Sequence, residues 1–298
     1  MQDKRILVAG YGKLGQRVAQ QLASDHDVTA LKRHPVDPAP PVRLCFADLN
    51  NPDQLAATLS EALPEGAHYL IYCLSPAERT EAGYRAAYLH GLQHLLNALP
   101  QRRALQHILF VSSTSVYHQS QGEWVDEHSA CQPDSFSGKV LLEAEQYLFR
   151  QTIPATVVRF SGIYGGGRSR LIDQVRKALT SGEALEAGKG FTNRIHEDDC
   201  VGFLCHLIGL LVQGKTLASI YVASDSEPSS LAEVYAFIGE QLQAQPESNT
   251  DNRTSLNIQT NEHSARRAGS KRCCNHVMLD SGYQLKFPGY REGYLLHP

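Results

Sequence analysis

Ile6-Leu7-Val8-Ala9-Gly10-Tyr11-Gly12-Lys13-Leu14-Gly15 joins an apolar run to three glycines in G-x-G-x-x-G spacing. The apolar run reads as a buried strand, and the amphipathic segment Gln16 to Ala23 reads as the helix after it. Strand, tight turn and helix in that order are the context that gives a bare glycine pattern its meaning as a dinucleotide-binding loop. Gly10 allows the turn, Gly12 lets the backbone approach a pyrophosphate, and Gly15 lets the helix pack closely on the strand. The helix N-terminus then turns its free N–H groups and positive dipole end toward the phosphates.

Outward from this loop, Asp27 to Leu31 predicts a second strand ending in Lys32-Arg33. In the dinucleotide fold that strand end lies beside the adenosine ribose, where an acid holds a 2′-hydroxyl and an arginine accommodates a 2′-phosphate. Basic residues here predict NADP ahead of NAD; the plainer reading is a solvated charge pair. Further strands are predicted at Val42–Phe46, His68–Leu74, His107–Val111, Ala155–Phe160 and Ser219–Ala223. Helices are predicted from Asn51-Pro52, over Thr80–Leu99, from Ser135 to about Arg150, and over Cys200–Leu211 and Leu231–Leu242. Strand–helix alternation means an α/β protein, a Rossmann-type doubly wound parallel sheet with ligands beyond the carboxyl ends of its strands. The expected division is a dinucleotide-binding core over 1–165, then a segment over 166–298. That segment returns one strand to the core and forms a small C-terminal α/β substrate lobe, the whole being one structural unit.

Ser112-Ser113-Thr114-Ser115-Val116-Tyr117 stands at the exit of the fifth strand, either placed for chemistry or satisfying its own loop backbone. Ser135 and Lys139 are four apart and share a helix face. Gly165-Gly166-Gly167 reads as a flexible loop first and a phosphate cradle second. The polar stretch Gln243 to Ser264 is expected to be mobile in part.

With 298 residues and a net charge of −3, the chain has no basic stripe to suggest nucleic acid. Its longest apolar run, Val201 to Val212, contains His206 and is too short to span a bilayer, so no membrane partner is expected. The chain enters its first strand at once, and no signal peptide is expected. Seven cysteines without C-x-x-C spacing suggest neither a disulfide framework nor a metal site, and a reduced, cytoplasmic protein is expected.

Five stations in order resemble the extended short-chain dehydrogenase/reductase superfamily, in its epimerase/dehydratase branch. They are the glycine loop, Phe110 to Tyr117, the Lys139 helix with Glu143, Val158-Arg159-Phe160-Ser161-Gly162-Ile163-Tyr164-Gly165, and Arg194-Ile195-His196-Glu197-Asp198-Asp199. The tail Ser270-Lys271-Arg272-Cys273-Cys274-Asn275, followed by Tyr283 to Gly293, resembles more narrowly the atypical group typified by the bacterial protein YeeZ.

The resemblance implies that Gly10, Gly12 and Gly15, with Lys13 and Leu14, hold the pyrophosphate, Arg33 the 2′-phosphate and Asp48-Leu49 the adenine. Leu74 and Ser75 would line the cofactor. Ser113 matches the catalytic Ser/Thr, and Lys139 matches the lysine of Tyr-x-x-x-Lys, which binds the nicotinamide ribose and lowers the phenol pKa. Tyr164, Arg194 and His196 are implied to meet a small-molecule substrate carrying an anionic or sugar-nucleotide group.

The chain departs from that pattern where the tyrosine should stand. Ser135 occupies the position, and an aliphatic hydroxyl is too weak an acid to replace a phenol without an adjacent base. General acid–base catalysis is worth ~10² to 10⁴ in rate, so its loss cripples the reaction while leaving cofactor binding intact. Tyr117 and His118 are the candidate substitutes. Two readings follow: an NADP-dependent oxidoreductase or epimerase-type enzyme using Ser113, Ser135 and Lys139, or a catalytically silent NADP(H)-binding sensor. Either is expected as a monomer or as a homodimer through the two long helices.

Overall fold

Residues 3–36, 42–167, 170–244, 255–261 and 270–295 are described by the computed structural model. The first half forms β1 (Arg5–Ala9), α1 (Lys13–Leu22), β2 (Asp27–Lys32), β3 (Arg43–Phe46), α2 (Pro52–Ala62), β4 (Tyr69–Tyr72), α3 (Glu81–Tyr84), a π-helical turn (Arg85–His90), α4 (Gly91–Ala98) and β5 (His107–Ser113). Next come β6 (Glu123–Val125), α5 (Phe136–Phe149), β7 (Ala155–Phe160), β8 (Gly162–Tyr164), α6 (Arg170–Ser181), β9 (Leu185–Gly188), β10 (Phe191–Thr192), β11 (Arg194–His196) and α7 (Glu197–Val212). Then follow β12 (Ile220–Ala223), β13 (Ser229–Ser230), α8 (Leu231–Gln243), β14 (Ile258–Asn261), β15 (Lys271–Cys273), α9 (His276–Asp280) and α10 (Tyr290–Gly293).

The chain divides into two compact units, the first made of Met1–Tyr117, Cys131–Arg159 and Val201–Tyr221, the second of His118–Ala130, Phe160–Cys200 and Val222–Pro298. The parallel sheet has seven strands in the order β12-β7-β5-β4-β1-β2-β3. Its inner strands are apolar along their length because helices cover both faces, and Tyr69–Tyr72 is buried throughout. β1 pairs with β2 on one side, Ile6 against Val28, and with β4 on the other, Ile6 against Tyr69. The strand order therefore reverses at β1, which is where this fold opens a crevice.

Local signals set most helix starts. Asn51 Oδ1 accepts from Gln54 N at 3.2 Å with Pro52 at the first helical position. Ser230 and Glu233 form a reciprocal capping box at the start of α8. The uninterrupted helix expected over Thr80–Leu99 is broken by the π turn. Tyr72 Oη donates to Ala87 O at 2.5 Å inside that turn, and a β-carbon on Gly91 would lie 2.8 Å from the same hydroxyl. The wider turn follows from this tertiary contact, which a 3.6-residue period does not encode.

In the second unit, β8 pairs with β11, β9 with β14 and β6 with β15, all parallel, while β10 pairs with β13 antiparallel. Its core gathers Tyr164, Val175, Ala187, Val234, Ile238 and Tyr290. Within the polar stretch expected to be mobile in part, Ile258–Asn261 forms strand β14, paired Ile258 to Leu185 and Thr260 to Ala187. Residues 245–254 and 262–264 of that stretch lie outside the described residues. Among the described residues, no helix is long and apolar enough to cross a membrane, and no group of His, Cys, Asp or Glu could hold a metal ion.

Candidate dinucleotide cleft and active site

A cleft of about 610 Å³ opens in the first unit where the chain leaves the ends of β1, β2, β3 and β4. Its size is that of a small-molecule or cofactor site, ~300–1,000 Å³. Gly10 forms its floor with φ at +107°, a region that only glycine enters without strain. A β-carbon there would lie 2.7 Å from the Cys73 carbonyl oxygen. Gly15 is buried, and its β-carbon would strike the Gly10 carbonyl. Gly12 differs: it caps α1 with φ −85°, and a β-carbon there meets no atom within 4 Å. No side chain caps α1 and no acid stands in its first turn, so its N–H groups stay available to an anion.

The cleft wall carries Gly10, Gly12, Arg33, Asp48, Leu49, Leu74 and Ser75 of the expected cofactor set; Lys13, Leu14, Gly15 and Lys139 do not line it. The Asp48-Leu49 turn is held from three sides. Asn50 N donates to Asp48 Oδ1 at 2.9 Å, Asp48 N donates to Gln54 Oε1 at 3.3 Å, and the His94 ring Nδ1 bonds Leu49 O at 2.7 Å. The facing wall comes from Ala82, Gly83, Ala86 and Ala87, small residues on α3 and the π turn that the sequence reading passed over. The spacing of these small residues, two adjacent pairs four apart, was the signal available. At the end of β2, Arg33 Nε donates to His34 Nε2 at 3.0 Å.

α5, which carries Lys139, packs on β5 and on the 3-10 turn that follows Ser113. Ser113 Oγ accepts from Ser115 N at 3.2 Å, capping a 3-10 turn over Thr114–Val116. Gly138, beside Lys139, packs on that turn so closely that a β-carbon would strike the Ser115 carbonyl. Ser135 is the N-cap of α5, not its first helical residue, and its Oγ accepts from Gly138 N at 3.2 Å. Ser135→Ala is therefore expected to cost about 1 kcal/mol in urea unfolding, and Ser135→Asp, also a capping residue, to cost little. An unchanged midpoint in Ser135→Ala would refute the cap. Of the candidate substitutes for the phenol, His118 is exposed. Tyr117 is 4% exposed and its hydroxyl accepts from Arg159 Nη1 at 2.8 Å.

Arg159 belongs to a buried network that the sequence reading missed. Its Nη2 lies 2.6 Å from Glu145 Oε2, and Ser112 Oγ donates to Glu145 Oε1 at 2.5 Å. Glu143, singled out from the sequence, instead faces Arg85 at 2.9 Å on the half-exposed side of α5.

In the second unit, Tyr164, Arg194 and His196 are all buried. The Tyr164 ring stacks on Tyr294 at 4.5 Å and meets His196 edge-on at 5.2 Å; its hydroxyl donates to Gly289 O at 3.2 Å, and burial pushes its pKa up. Gly165, Gly166 and Gly167 all have positive φ, and β-carbons on the first two would run into His196 and Glu197. Close packing with a left-handed backbone thus accounts for the glycine triplet. Arg194 lies over the Tyr290 ring at 5.4 Å and donates from Nη2 to Thr192 Oγ1, while its Nη1 is buried without a hydrogen-bond partner. Asp225 is fully buried; burial pushes its carboxyl up to about 8 against the pull of Arg194, and its Oδ2 also has no partner.

A parallel sheet reversing at β1, with a glycine-floored cleft at that reversal, defines a dinucleotide-binding α/β protein of the Rossmann type. The chain belongs to the RmlD substrate binding domain family, whose model matches residues 4–288, and with it to the extended short-chain dehydrogenase/reductase superfamily. It is similar to a solved protein of Methylobacillus flagellatus assigned to the NAD-dependent epimerase/dehydratases, at 34% identity over 98% of this chain and 97% of that one, TM-score 0.76. At the level of the fold it is similar to Bordetella bronchiseptica WbmG, solved with NAD and UDP, at 15% identity, TM-score 0.76, over 98% of this chain and 93% of that one. At the level of the fold it is also similar to MoeE5, solved with UDP-glucose and NAD, at 22% identity, TM-score 0.69, over 97% of this chain and 96% of that one. No curated protein sequence matches the chain.

Proposed function

We propose that the chain is an NADP-preferring oxidoreductase or epimerase-type protein acting on a small polar substrate that carries an anionic group. The observation that carries this reading is the end of β2, where Lys32 and Arg33 line a cleft that Gly12 leaves open. An arginine at that place suits a 2′-phosphate, as an acid suits a 2′-hydroxyl. When bound, the nicotinamide supplies hydride exchange. Lys139, in the first turn of α5, would hold the nicotinamide ribose, and Ser113 would hydrogen-bond the substrate oxygen. In the second unit the unpaired Nη1 edge of Arg194 suits a phosphate or carboxylate. The UDP and UDP-glucose held by WbmG and MoeE5 support a sugar nucleotide as the substrate class. The tail over Ser270–Asn275 supports placement in the atypical group typified by YeeZ, and seven cysteines without C-x-x-C spacing support a reducing, cytoplasmic setting.

A catalytically silent NADP(H) sensor is the second reading. It is favoured by Ser135, whose hydroxyl serves as the α5 cap, and by Tyr117, whose hydroxyl is held by Arg159. Oxidation of NADPH in the presence of UDP-sugars and small carbonyl compounds separates the two. The enzyme reading expects turnover that falls at least ~10²-fold in Lys139→Ala. Tight NADPH binding with no turnover across the whole panel would leave the sensor.

A further inference from the structure

We propose that Tyr84 supplies the phenol that position 135 lacks, its hydroxyl giving a proton to the substrate oxygen as hydride reaches the adjoining carbon. This rests on the enzyme reading above and names the proton donor that reading leaves open. The Ser135 hydroxyl is taken up in capping α5, and the Tyr117 hydroxyl is held by Arg159. Tyr84, the last residue of α3, approaches the start of α5 from the facing helix. Its ring meets that of Phe136, the residue directly after Ser135, edge-on with centroids 5.5 Å apart. Phe136 is 39% exposed, so the contact lies at the open end of α5. Lys139 follows Phe136 by three residues and so shares its side of the helix. On the other side, Gly83 directly before Tyr84 and Ala86 two residues after it line the cleft. Tyr84 thus stands between the cleft wall and the helix that carries Ser135 and Lys139.

The ring of Tyr84 is held while its hydroxyl stays in reserve. A second contact sets it against Tyr88 at 5.5 Å, and Tyr88 in turn meets Phe110 of β5 edge-on at 6.5 Å. Burial, Tyr84 and the cleft-lining Cys73 together push the Tyr88 hydroxyl up to about 12, which sets the tyrosine pair at the β4 end of the cleft. Tyr84 itself is half-buried, and among the described residues its hydroxyl has no hydrogen-bond partner. A phenol can release its proton at such a step where an aliphatic hydroxyl cannot. In the reducing direction the carbonyl carbon takes hydride from NADPH and the oxygen takes the proton of Tyr84 Oη. The products are an alcohol and NADP⁺, and the phenolate recovers its proton from water.

Two measurements test this, one of them independent of turnover. The full chain is treated with N-acetylimidazole, which acetylates accessible phenols, with and without saturating NADP⁺, and mapped by peptide mass spectrometry. Tyr84 is expected to be labelled in the free protein and protected by the nucleotide. A hydroxyl labelled equally with NADP⁺ bound, or closed to the reagent in the free protein, cannot face a substrate in the cleft and would overturn the assignment. The second measurement is NADPH oxidation with the panel of UDP-sugars and small carbonyl compounds, for the wild type and Tyr84→Phe. Phenylalanine keeps the contacts with Phe136 and Tyr88 and removes only the hydroxyl. It is expected to lower kcat at least ~10²-fold with NADPH affinity unchanged. If the wild type turns over and Tyr84→Phe matches it, Tyr84 is a packing residue and the enzyme reading stands. If the wild type binds NADPH and turns over nothing, the enzyme reading fails and the role of Tyr84 with it.

Discussion

Glu145→Gln is expected to lower the free energy of unfolding by about 3–5 kcal/mol, measured by urea denaturation, because it strands a buried charge. Glu145 and Arg159 are 1% and 3% exposed, and their contact at 2.6 Å also binds in Ser112 from β5 and Tyr117 beyond it. A glutamine of the same shape keeps the volume but leaves the guanidinium without its counter-charge. The double variant Glu145→Met with Arg159→Met removes both charges and should recover part of the loss, since an ion pair replaced whole by apolar groups is often near neutral. A loss under 1 kcal/mol in the single variant would mean that the pair contributes no more than an exposed one. The network ties α5 to β5 and β7, so it also fixes the helix carrying Lys139 relative to the strand carrying Ser113.

Gly12→Val is expected to abolish dinucleotide binding, by about a hundredfold or more in Kd, while costing no more than about 1 kcal/mol of stability for the poorer helix cap. The backbone at Gly12 has φ −85°, which any residue adopts, and a β-carbon there has no protein atom within 4 Å. No steric contact in the protein requires glycine at this place. Two extra methyl groups over the α1 N-terminus would occupy the space a pyrophosphate needs. Gly10 and Gly15 serve as the contrast, because side chains at those positions would collide with the Cys73 and Gly10 carbonyls and damage the fold as well. Nucleotide titration alongside thermal unfolding checks the pair of effects. Unchanged affinity in Gly12→Val would mean that no phosphate sits over this loop.

What the sequence disclosed was the local part of the design. The turn at the glycine loop and the Asn51-Pro52 helix start are each written in a few adjacent residues whose physics is short-range, and the structure forms both there. The sheet followed from the alternation of apolar runs with amphipathic ones. The π turn was not legible, because it arises from Tyr72 reaching Ala87 across the fold. Nor was the burial of Glu145: two residues from Glu143 on the same helix, it is distinguished only by meeting Arg159 of β7. Ser135 read as an altered catalytic position, and the structure adds its plainer role as a helix cap. The glycine triplet read as a flexible loop, whereas His196 and Glu197 packing against its first two members account for it.

The most direct test of the central claim is a fluorescence titration of the purified protein with NADPH and, separately, NADH, repeated on Arg33→Ala. The expected result is NADPH binding at least about tenfold tighter than NADH, a difference near ~1.4 kcal/mol, which disappears in the variant. Absence of binding by either nucleotide at millimolar concentration would contradict the account and leave the cleft without its assigned ligand.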